Sequence, residues 1–284
     1  MPTQTPQVQY TKVGQINTRF WALGDKGSAV LLIHGIGGSL EDWILNADAL
    51  AKHHRVYALD LVGSGHSDKP SVSYTFSYMA QFVKDFMDAE NIDRACLIGH
   101  SLGGGVSLQF SIQFPDEVEK LVLVNSAGLG KKVTLLLRLL TLPILGNLLA
   151  RPSRKATANF LKECVYDSTL ITDELVEFGY NLAALPGAQD SLLSMVRTLG
   201  NIRGMREDVL RSIVDNLTNI TAPTLIFWGQ QDRILPVTYA HVAERKIPDA
   251  QLHIFDSCGH FPQIERPEEF NSLVLKFLDG EESY

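Results

Sequence analysis

Short apolar runs alternate with helical periods along most of this chain, and no other sequence feature restricts its fold as much. The runs lack the apolar–polar alternation of half-exposed strands, which is typical of strands buried on both faces of a parallel sheet. The repeated order of strand and helix predicts an α/β fold, a mostly parallel sheet with right-handed connections and helices on both faces. The predicted central strands are residues 29–34, 55–60, 95–99, 120–125, 224–228 and 251–255.

Two further β-patterned runs precede this series, residues 8–13 and 16–23, and Gly14 between them predicts an N-terminal hairpin. Pro267 begins the last helical period, a position where its missing N–H costs nothing. The clearest helical periods are residues 40–53, 78–90, 102–114, 238–246 and 267–278.

The alternation stops between residues 129 and 211. This stretch has helical composition, no convincing strand and many apolar positions, so it must pack against something. We therefore predict an α/β core, residues 1–128 and 212–284, that is interrupted by a helical insertion, residues 129–211.

The composition argues against several classes of partner. The chain has 284 residues, of which 45% are apolar, enough for a large core without metal or disulfide staples. The formal net charge is −7, and an acidic protein is poorly suited to nucleic acid or to an anionic membrane. Three cysteines and a polar N-terminus without a signal-peptide pattern favour reduced thiols in the cytoplasm. No metal or organic cofactor is expected.

The sequence GHSLG at residues 99–103 carries the strongest chemical signal. It follows an apolar strand and begins a helix, which is the setting of a G-x-S-x-G nucleophile elbow. Gly99 and Gly103 suit a turn too tight for side chains, and the helix N-terminus favours negative charge beside the Ser101 hydroxyl. An idle serine in a glycine-rich turn is the alternative, and the flanking strand and helix argue against it.

A serine hydroxyl is a weak nucleophile and needs an adjacent base. His260 follows the last predicted strand and Asp232 follows the strand before it, so both fall at the same sheet edge as Ser101. The chain order of serine, acid and histidine is that of hydrolases with a nucleophile elbow. We predict Ser101 as nucleophile, His260 as base and Asp232 as the acid that orients the base.

A glycine-rich turn, HGIGG at residues 34–38, follows the first central strand. Its backbone N–H groups can point into the site and stabilise an oxyanion. A phosphate-binding loop is the alternative, but the turn lacks the Walker lysine and the G-x-G-x-x-G register.

Five segments resemble the α/β-hydrolase superfamily, and the similarity runs from about residue 8 to residue 278. The resemblance implies that the N–H groups of Ile36 and Leu102 are the oxyanion donors and that the insertion is a helical cap over the active site. Haloalkane dehalogenases and epoxide hydrolases of this fold carry aspartate where Ser101 stands, so their chemistry is not expected. The segments are residues 32–38, 60–70, 99–104, 228–232 and 258–260.

The predicted reaction is hydrolysis of a carboxylic ester of a small or medium apolar substrate, as in carboxylesterases. Residues 249–278 are also similar to carbon–carbon bond hydrolases of the meta-cleavage type, which usually carry tryptophan where Phe261 stands. That reaction calls for a cationic clamp on a substrate carboxylate, with Arg197, Arg203 and Arg206 as candidates. A ligand receptor that keeps the triad, as some plant hormone receptors of this fold do, is the alternative from another class.

We predict Gly37, Trp43 and Phe261 as pocket residues, although Trp43 suits core packing equally well. The leucine-rich residues 135–149 are expected to form the inner, apolar face of the cap. Their length and the charge of Arg138 disfavour a transmembrane span. Binding of this stretch to a lipid surface is the less favoured alternative, so membrane contact is not expected.

Overall fold

Eight strands form the central sheet of the computed structural model, which describes residues 6–280. Residues 1–5 and 281–284 lie outside the described part. The first of these segments holds most of the polar N-terminus that lacks a signal-peptide pattern. Two short strands, β7 and β8, form a separate hairpin. In chain order the strands are β1 Val8–Val13, β2 Ile16–Leu23, β3 Ala29–Ile33, β4 Arg55–Leu59, β5 Ala95–His100, β6 Val118–Val124, β7 Gly200–Asn201, β8 Gly204–Met205, β9 Thr224–Gly229 and β10 Ala250–Phe255.

The order of the strands across the sheet is β1-β2-β4-β3-β5-β6-β9-β10. The pairs β1–β2 and β2–β4 are antiparallel, and every other neighbouring pair is parallel. The N-terminal hairpin and all six central strands are confirmed, with ends that differ from the prediction by two residues or fewer. The carboxyl ends of β5, β9 and β10 lie at one edge, where residues that follow them can converge.

Helices connect the strands and cover both faces of the sheet. Alternate residues of β3 belong to different layers of the core: Leu31 and Ile33 to the layer that includes α2, α3 and α10, and Val30 and Leu32 to the layer that includes α1 and α12. All four side chains are fully buried. The helices are α1 Ala47–Ala51, α2 Phe76–Ala89, α3 Leu102–Gln113, α4 Leu135–Leu140, α5 Pro143–Leu149, α6 Arg154–Cys164, α7 Asp173–Ala183, α8 Ala188–Leu199, α9 Glu207–Val214, α10 Ala240–Lys246, α11 Pro262–Glu265 and α12 Pro267–Asp279.

Two local predictions are wrong. The helix expected over residues 40–53 is broken into a 3₁₀ turn, Leu40–Trp43, and the short α1. Between them Asn46 turns inward, and its Nδ2 donates to the carbonyl of Gln263 (3.0 Å) and to Oδ1 of Asn271 (2.9 Å), which ties the break to α11 and α12.

The second error is the β7–β8 hairpin, which lies in a stretch predicted to contain no strand. Its strands have two residues each, too few to leave a periodic signal in the sequence.

The segment between β6 and β9 contains the six helices α4–α9. Its helical content agrees with the predicted insertion. The boundaries between the insertion and the core, at residues 129 and 211, stay a prediction. No helix within residues 6–280 combines the length and the apolar composition needed to cross a bilayer.

Candidate active site

Ser101 stands between β5 and α3 in a strained backbone conformation, with φ 52° and ψ −113°. Neither flanking glycine has room for a side chain: a Cβ on Gly99 would strike the Gly103 carbonyl and the Ser107 side chain, and one on Gly103 would strike the Ile33 carbonyl. The strand, the helix and the neighbouring β3 therefore approach so closely that the turn is forced into this shape. Such strain is costly and is typical of functional sites.

His260 and Asp232 are joined by a 2.8 Å contact between Nδ1 and Oδ2. The backbone N–H groups of Ile234 and Leu235 donate to the other carboxylate oxygen at 2.7 and 3.0 Å. Because a carboxylate only accepts, Nδ1 must carry the imidazole proton, which leaves Nε2 free to accept one. Both side chains are almost fully buried.

Ser101 lies at the same edge, but its hydroxyl forms no hydrogen bond within residues 6–280. The contact between its turn and the His260 loop passes through His100, whose Nε2 donates to the His260 carbonyl at 2.8 Å. The His100 ring also packs against His260 and Phe261, with centroids 4.8 and 4.6 Å away. Burial holds the pKa of His100 well below its ordinary value, so this ring is neutral.

Asn125 is a buried residue of this site that the sequence predicts only as the end of a strand. It follows β6 with φ 45°, and its Nδ2 donates to Asp232 Oδ2 at 2.6 Å and to the Gly259 carbonyl at 3.3 Å. Its Oδ1 accepts from the Gly229 amide at 3.4 Å. A polar residue at the carboxyl end of a central strand is the signal that could have pointed to it.

The glycine-rich turn at residues 34–38 is held in place by His34. The Nε2 of His34 accepts from the Leu61 amide at 3.1 Å, and its Nδ1 donates to the Gly35 carbonyl at 2.7 Å. Burial lowers the pKa of this histidine, so the neutral ring keeps one donor and one acceptor. The turn is therefore fixed to the loop that follows β4.

A carboxyl group lies directly behind this turn. The Asp42 carboxyl group occupies the space that a side chain on Gly38 would need. Burial, followed by the negative charges of Glu41 and Asp60, raises the pKa of Asp42 to about 8. This group therefore holds its proton at neutral pH.

An apolar cavity brings Ile36, Ser101 and Leu102 together on one wall. Its free space is about 570 Å³, part of it open to solvent. Leu102 begins α3, so its N–H has no partner within the helix and suits an anion. Other lining residues come from β7–β8, from the loop after Asp232 and from α4 and α8, among them Val133, Leu137, Arg138, Thr141, Val196, Leu199, Met205, Ile234 and Leu235.

The three predicted pocket residues do not line this cavity. Trp43 is fully buried on the other side of the sheet, where it packs on Phe270. Phe261 contacts His100 and His260 from behind the site, and Gly37 faces open space with φ 70°. Within residues 6–280 no group of three histidine, cysteine or acidic side chains could hold a metal ion.

Comparison with known proteins identifies the family. The model of the alpha/beta hydrolase fold family matches residues 28–267, which is most of the chain. The chain therefore belongs to the alpha/beta hydrolase fold family.

Three similar proteins represent its relatives. The 2-hydroxy-6-oxo-2,4-heptadienoate hydrolase of Pseudomonas putida is 32% identical over 273 residues, 95% of each chain. The solved structure of a meta-cleavage product hydrolase from Pseudomonas fluorescens is 31% identical, covers 94% of this chain and 96% of its own, and has a TM-score of 0.81. A bacterial membrane phospholipase A is 26% identical, covers 96% of this chain and 86% of its own, and has a TM-score of 0.82.

Proposed function

We propose that this protein hydrolyses carboxylic esters of small or medium apolar substrates through a serine acyl-enzyme. The observation that supports this most is the cavity, which reaches Ser101 and both candidate oxyanion donors and has an almost wholly hydrocarbon wall. An apolar ester can bury itself there, whereas a charged substrate would lose its hydration and find one cation, Arg138, among the lining residues. The phospholipase A among the similar structures is named for ester chemistry.

In the proposed reaction Ser101 attacks the ester carbonyl while Nε2 of His260 takes its proton. The resulting oxyanion accepts hydrogen bonds from the N–H groups of Ile36 and Leu102. Asp232 holds the ring in the required tautomer and stabilises the imidazolium. His260 then gives the proton to the leaving alcohol, and water resolves the acyl-enzyme by the same steps.

None of the three arginines proposed as a carboxylate clamp lines the cavity. Arg197 donates to the carbonyls of Leu142 and Pro143 and to Oδ1 of Asn147, and it thereby ties α8 to α5. Arg206 pairs with Asp208 at the surface. Arg203 is exposed and, like the other two, does not line the cavity.

Carbon–carbon bond hydrolysis is the second candidate, because one cation does line the cavity. Arg138 on α4 has its Nε bound to the Ile202 carbonyl at 2.8 Å, and its side chain forms part of the cavity wall. A substrate carboxylate could pair with it. Two relatives carry names of this reaction.

A direct comparison tests the choice. We expect kcat/KM to be higher for a short aryl ester than for a 2-hydroxy-6-oxo-dienoate, with the ester rate little changed in Arg138→Gln. Arg203→Gln serves as the control. A dienoate preference above about a hundredfold, or nearly 3 kcal/mol in transition-state binding, that is lost in Arg138→Gln would replace ester hydrolysis with the second candidate.

The ester assay also tests the receptor alternative, since a receptor would bind ligand without sustained turnover. We propose a cytoplasmic location as well, which is supported by the three buried, unbridged cysteines Cys96, Cys164 and Cys258.

A further inference from the structure

One side of α5 is a row of exposed aliphatic side chains. Ile144, Leu145, Leu148 and Leu149 are spaced so that they share one face of the helix, and Ile144 is 90% and Leu148 57% exposed. Leu135 on the adjacent α4 is 59% exposed. We call these five residues the apolar face. Single exposed leucines need no explanation, but a contiguous group of this kind marks an interaction surface.

The opposite side of α4 belongs to the cavity, and Gly146 of α5 packs against the Leu140 carbonyl of α4. Leu137, Arg138 and Thr141 line the cavity, and Leu140 is buried against Leu193 and Val196 on α8. The prediction that residues 135–149 form the inner, apolar face of the cap is therefore wrong for the five exposed residues. Helix α4 thus forms part of the cavity wall, whereas α5, which holds four of the five residues of the apolar face, contributes no lining residue.

The charges closest to the apolar face in the sequence are of one sign, although Glu163 reaches Thr134 at the start of α4. Residues 131–162 contain seven lysines and arginines and no aspartate or glutamate, in a chain whose net charge is −7. The acidic character of the whole chain therefore conceals a basic segment that includes both helices. The seven residues are Lys131, Lys132, Arg138, Arg151, Arg154, Lys155 and Lys162.

Close to the end of α5, two of these cations are free to contact a partner. Arg151 and Lys155 are exposed and form no ion pair with any residue of the described chain. Arg154 is partly neutralised, because it binds both carboxylate oxygens of Glu177 and stacks on the ring of Tyr180. Exposed aliphatic groups next to free cations are the pattern of a surface that enters the headgroup region of an anionic bilayer.

We propose that the apolar face, with Arg151 and Lys155, docks this protein on an anionic lipid bilayer, from which the cavity takes its ester substrate. The part that concerns the substrate rests on the proposed ester hydrolysis, whereas the docking does not. A second copy of the chain fits this surface less well, because a two-fold contact would bring the same cations together.

Vesicle sedimentation tests the docking. The protein is expected to pellet with vesicles that contain phosphatidylglycerol and much less with phosphatidylcholine alone, and raised salt should release it. The variant Ile144→Ser/Leu148→Ser should reduce binding by about tenfold or more, since it removes two inserted side chains. Val8→Ser/Leu170→Ser, which changes two exposed aliphatic residues elsewhere, should bind normally.

A second pair separates the charges from the aliphatic groups. Arg151→Gln/Lys155→Gln should weaken binding to the anionic vesicles, whereas Lys12→Gln/Lys52→Gln, which removes two exposed cations far from α5, should not. All four variants should hydrolyse a short soluble ester at the wild-type rate. Only Ile144→Ser/Leu148→Ser and Arg151→Gln/Lys155→Gln should lose activity toward a long-chain ester embedded in the vesicles.

Three results would overturn the proposal. They are equal pelleting with both kinds of vesicle, normal pelleting of Ile144→Ser/Leu148→Ser, and a concentration-dependent dimer that this variant abolishes. The last would assign the face to self-association. Failure of the wild type to turn over any soluble ester would instead refute the proposed function and leave the docking measurement valid.

Discussion

Asn125 and His260 share one oxygen of Asp232: Asn125 Nδ2 donates to Oδ2 at 2.6 Å, and His260 Nδ1 contacts the same atom at 2.8 Å. Asn125 follows β6 and Asp232 follows the adjacent strand β9, so neighbouring strands supply the two groups. With two backbone N–H groups on Oδ1, the buried carboxylate receives four hydrogen bonds. Such a carboxylate is held in one orientation, and so is the ring that it contacts.

We expect Asn125→Ala to lower kcat about 10- to 100-fold, because loss of one donor to a buried charged acceptor costs about 1–3 kcal/mol. KM should change little, because Asn125 does not line the cavity. Steady-state kinetics measure both parameters.

Asn46→Ala is the matched control for this prediction. Asn46 is equally buried and also donates twice, but to Gln263 and Asn271, away from Asp232. It should lower the free energy of unfolding and leave kcat unchanged. If Asn125→Ala also leaves kcat unchanged, Asn125 is structural and does not position Asp232.

The backbone strain at Ser101 leads to a prediction about stability. Ser101→Ala should reduce kcat by roughly four to six orders of magnitude, with the positive φ retained. Ser101→Gly should be equally inactive but more stable than Ser101→Ala by about 1 kcal/mol, because glycine adopts positive φ without strain. Chemical denaturation compares the two variants.

An organophosphonate provides the check on the same residue, since it should label Ser101 in the wild type and no residue in either variant. A labelled alanine variant, or one with residual activity near that of the wild type, would mean that another residue is the nucleophile.

The strands and the three catalytic candidates could be predicted because each depends on a local pattern. Ser101, Asp232 and His260 each follow an apolar run, and parallel strands bring such positions to one edge. Asn125 occupies an equivalent position, but its role depends on a hydrogen bond to a residue 107 positions away. Nothing near it in the sequence predicts that partner.

The pocket and the surface were harder to predict for a different reason. Leucine at residues 135–149 predicts burial, yet which side of a short helix is buried depends on where α8 packs. Trp43 shows the same limit, because a tryptophan after the glycine-rich turn can face either the cavity or the core. Composition averaged over the whole chain also hid the basic segment around α5.

Asp42 should make stability depend on pH. Its pKa is raised to about 8 by burial and by Glu41 and Asp60, so between roughly pH 4 and pH 8 the folded state holds a proton that the unfolded chain has released. Stability must therefore fall as pH rises through this range, by at most about 1.4 kcal/mol per pH unit. The side chain in Asp42→Asn cannot ionise, so the stability of this variant relative to the wild type should increase steadily over the same pH range.

Thermal unfolding of both proteins between pH 5 and 9 measures this difference, and the exposed Asp25→Asn provides the control. Ionised Asp42 would also place a negative charge behind the turn at residues 34–38 and oppose an oxyanion there. The wild type should therefore lose kcat above about pH 8. If the loss of kcat at alkaline pH persists unchanged in Asp42→Asn, a group other than Asp42 causes it.

The last prediction concerns the cavity wall. Leu137 on α4 lines the cavity opposite the sheet edge, so its size should determine how long an acyl or alcohol chain fits. Leu137→Trp should move the optimum of kcat/KM toward shorter p-nitrophenyl esters, and Leu137→Ala toward longer ones. Each methylene that is gained or lost changes transition-state binding by about 0.8 kcal/mol, or roughly fourfold in rate. Leu135→Ala is the control, because Leu135 lies two residues away but faces outward. An optimum that is the same in all four proteins would show that the substrate chain does not lie along α4.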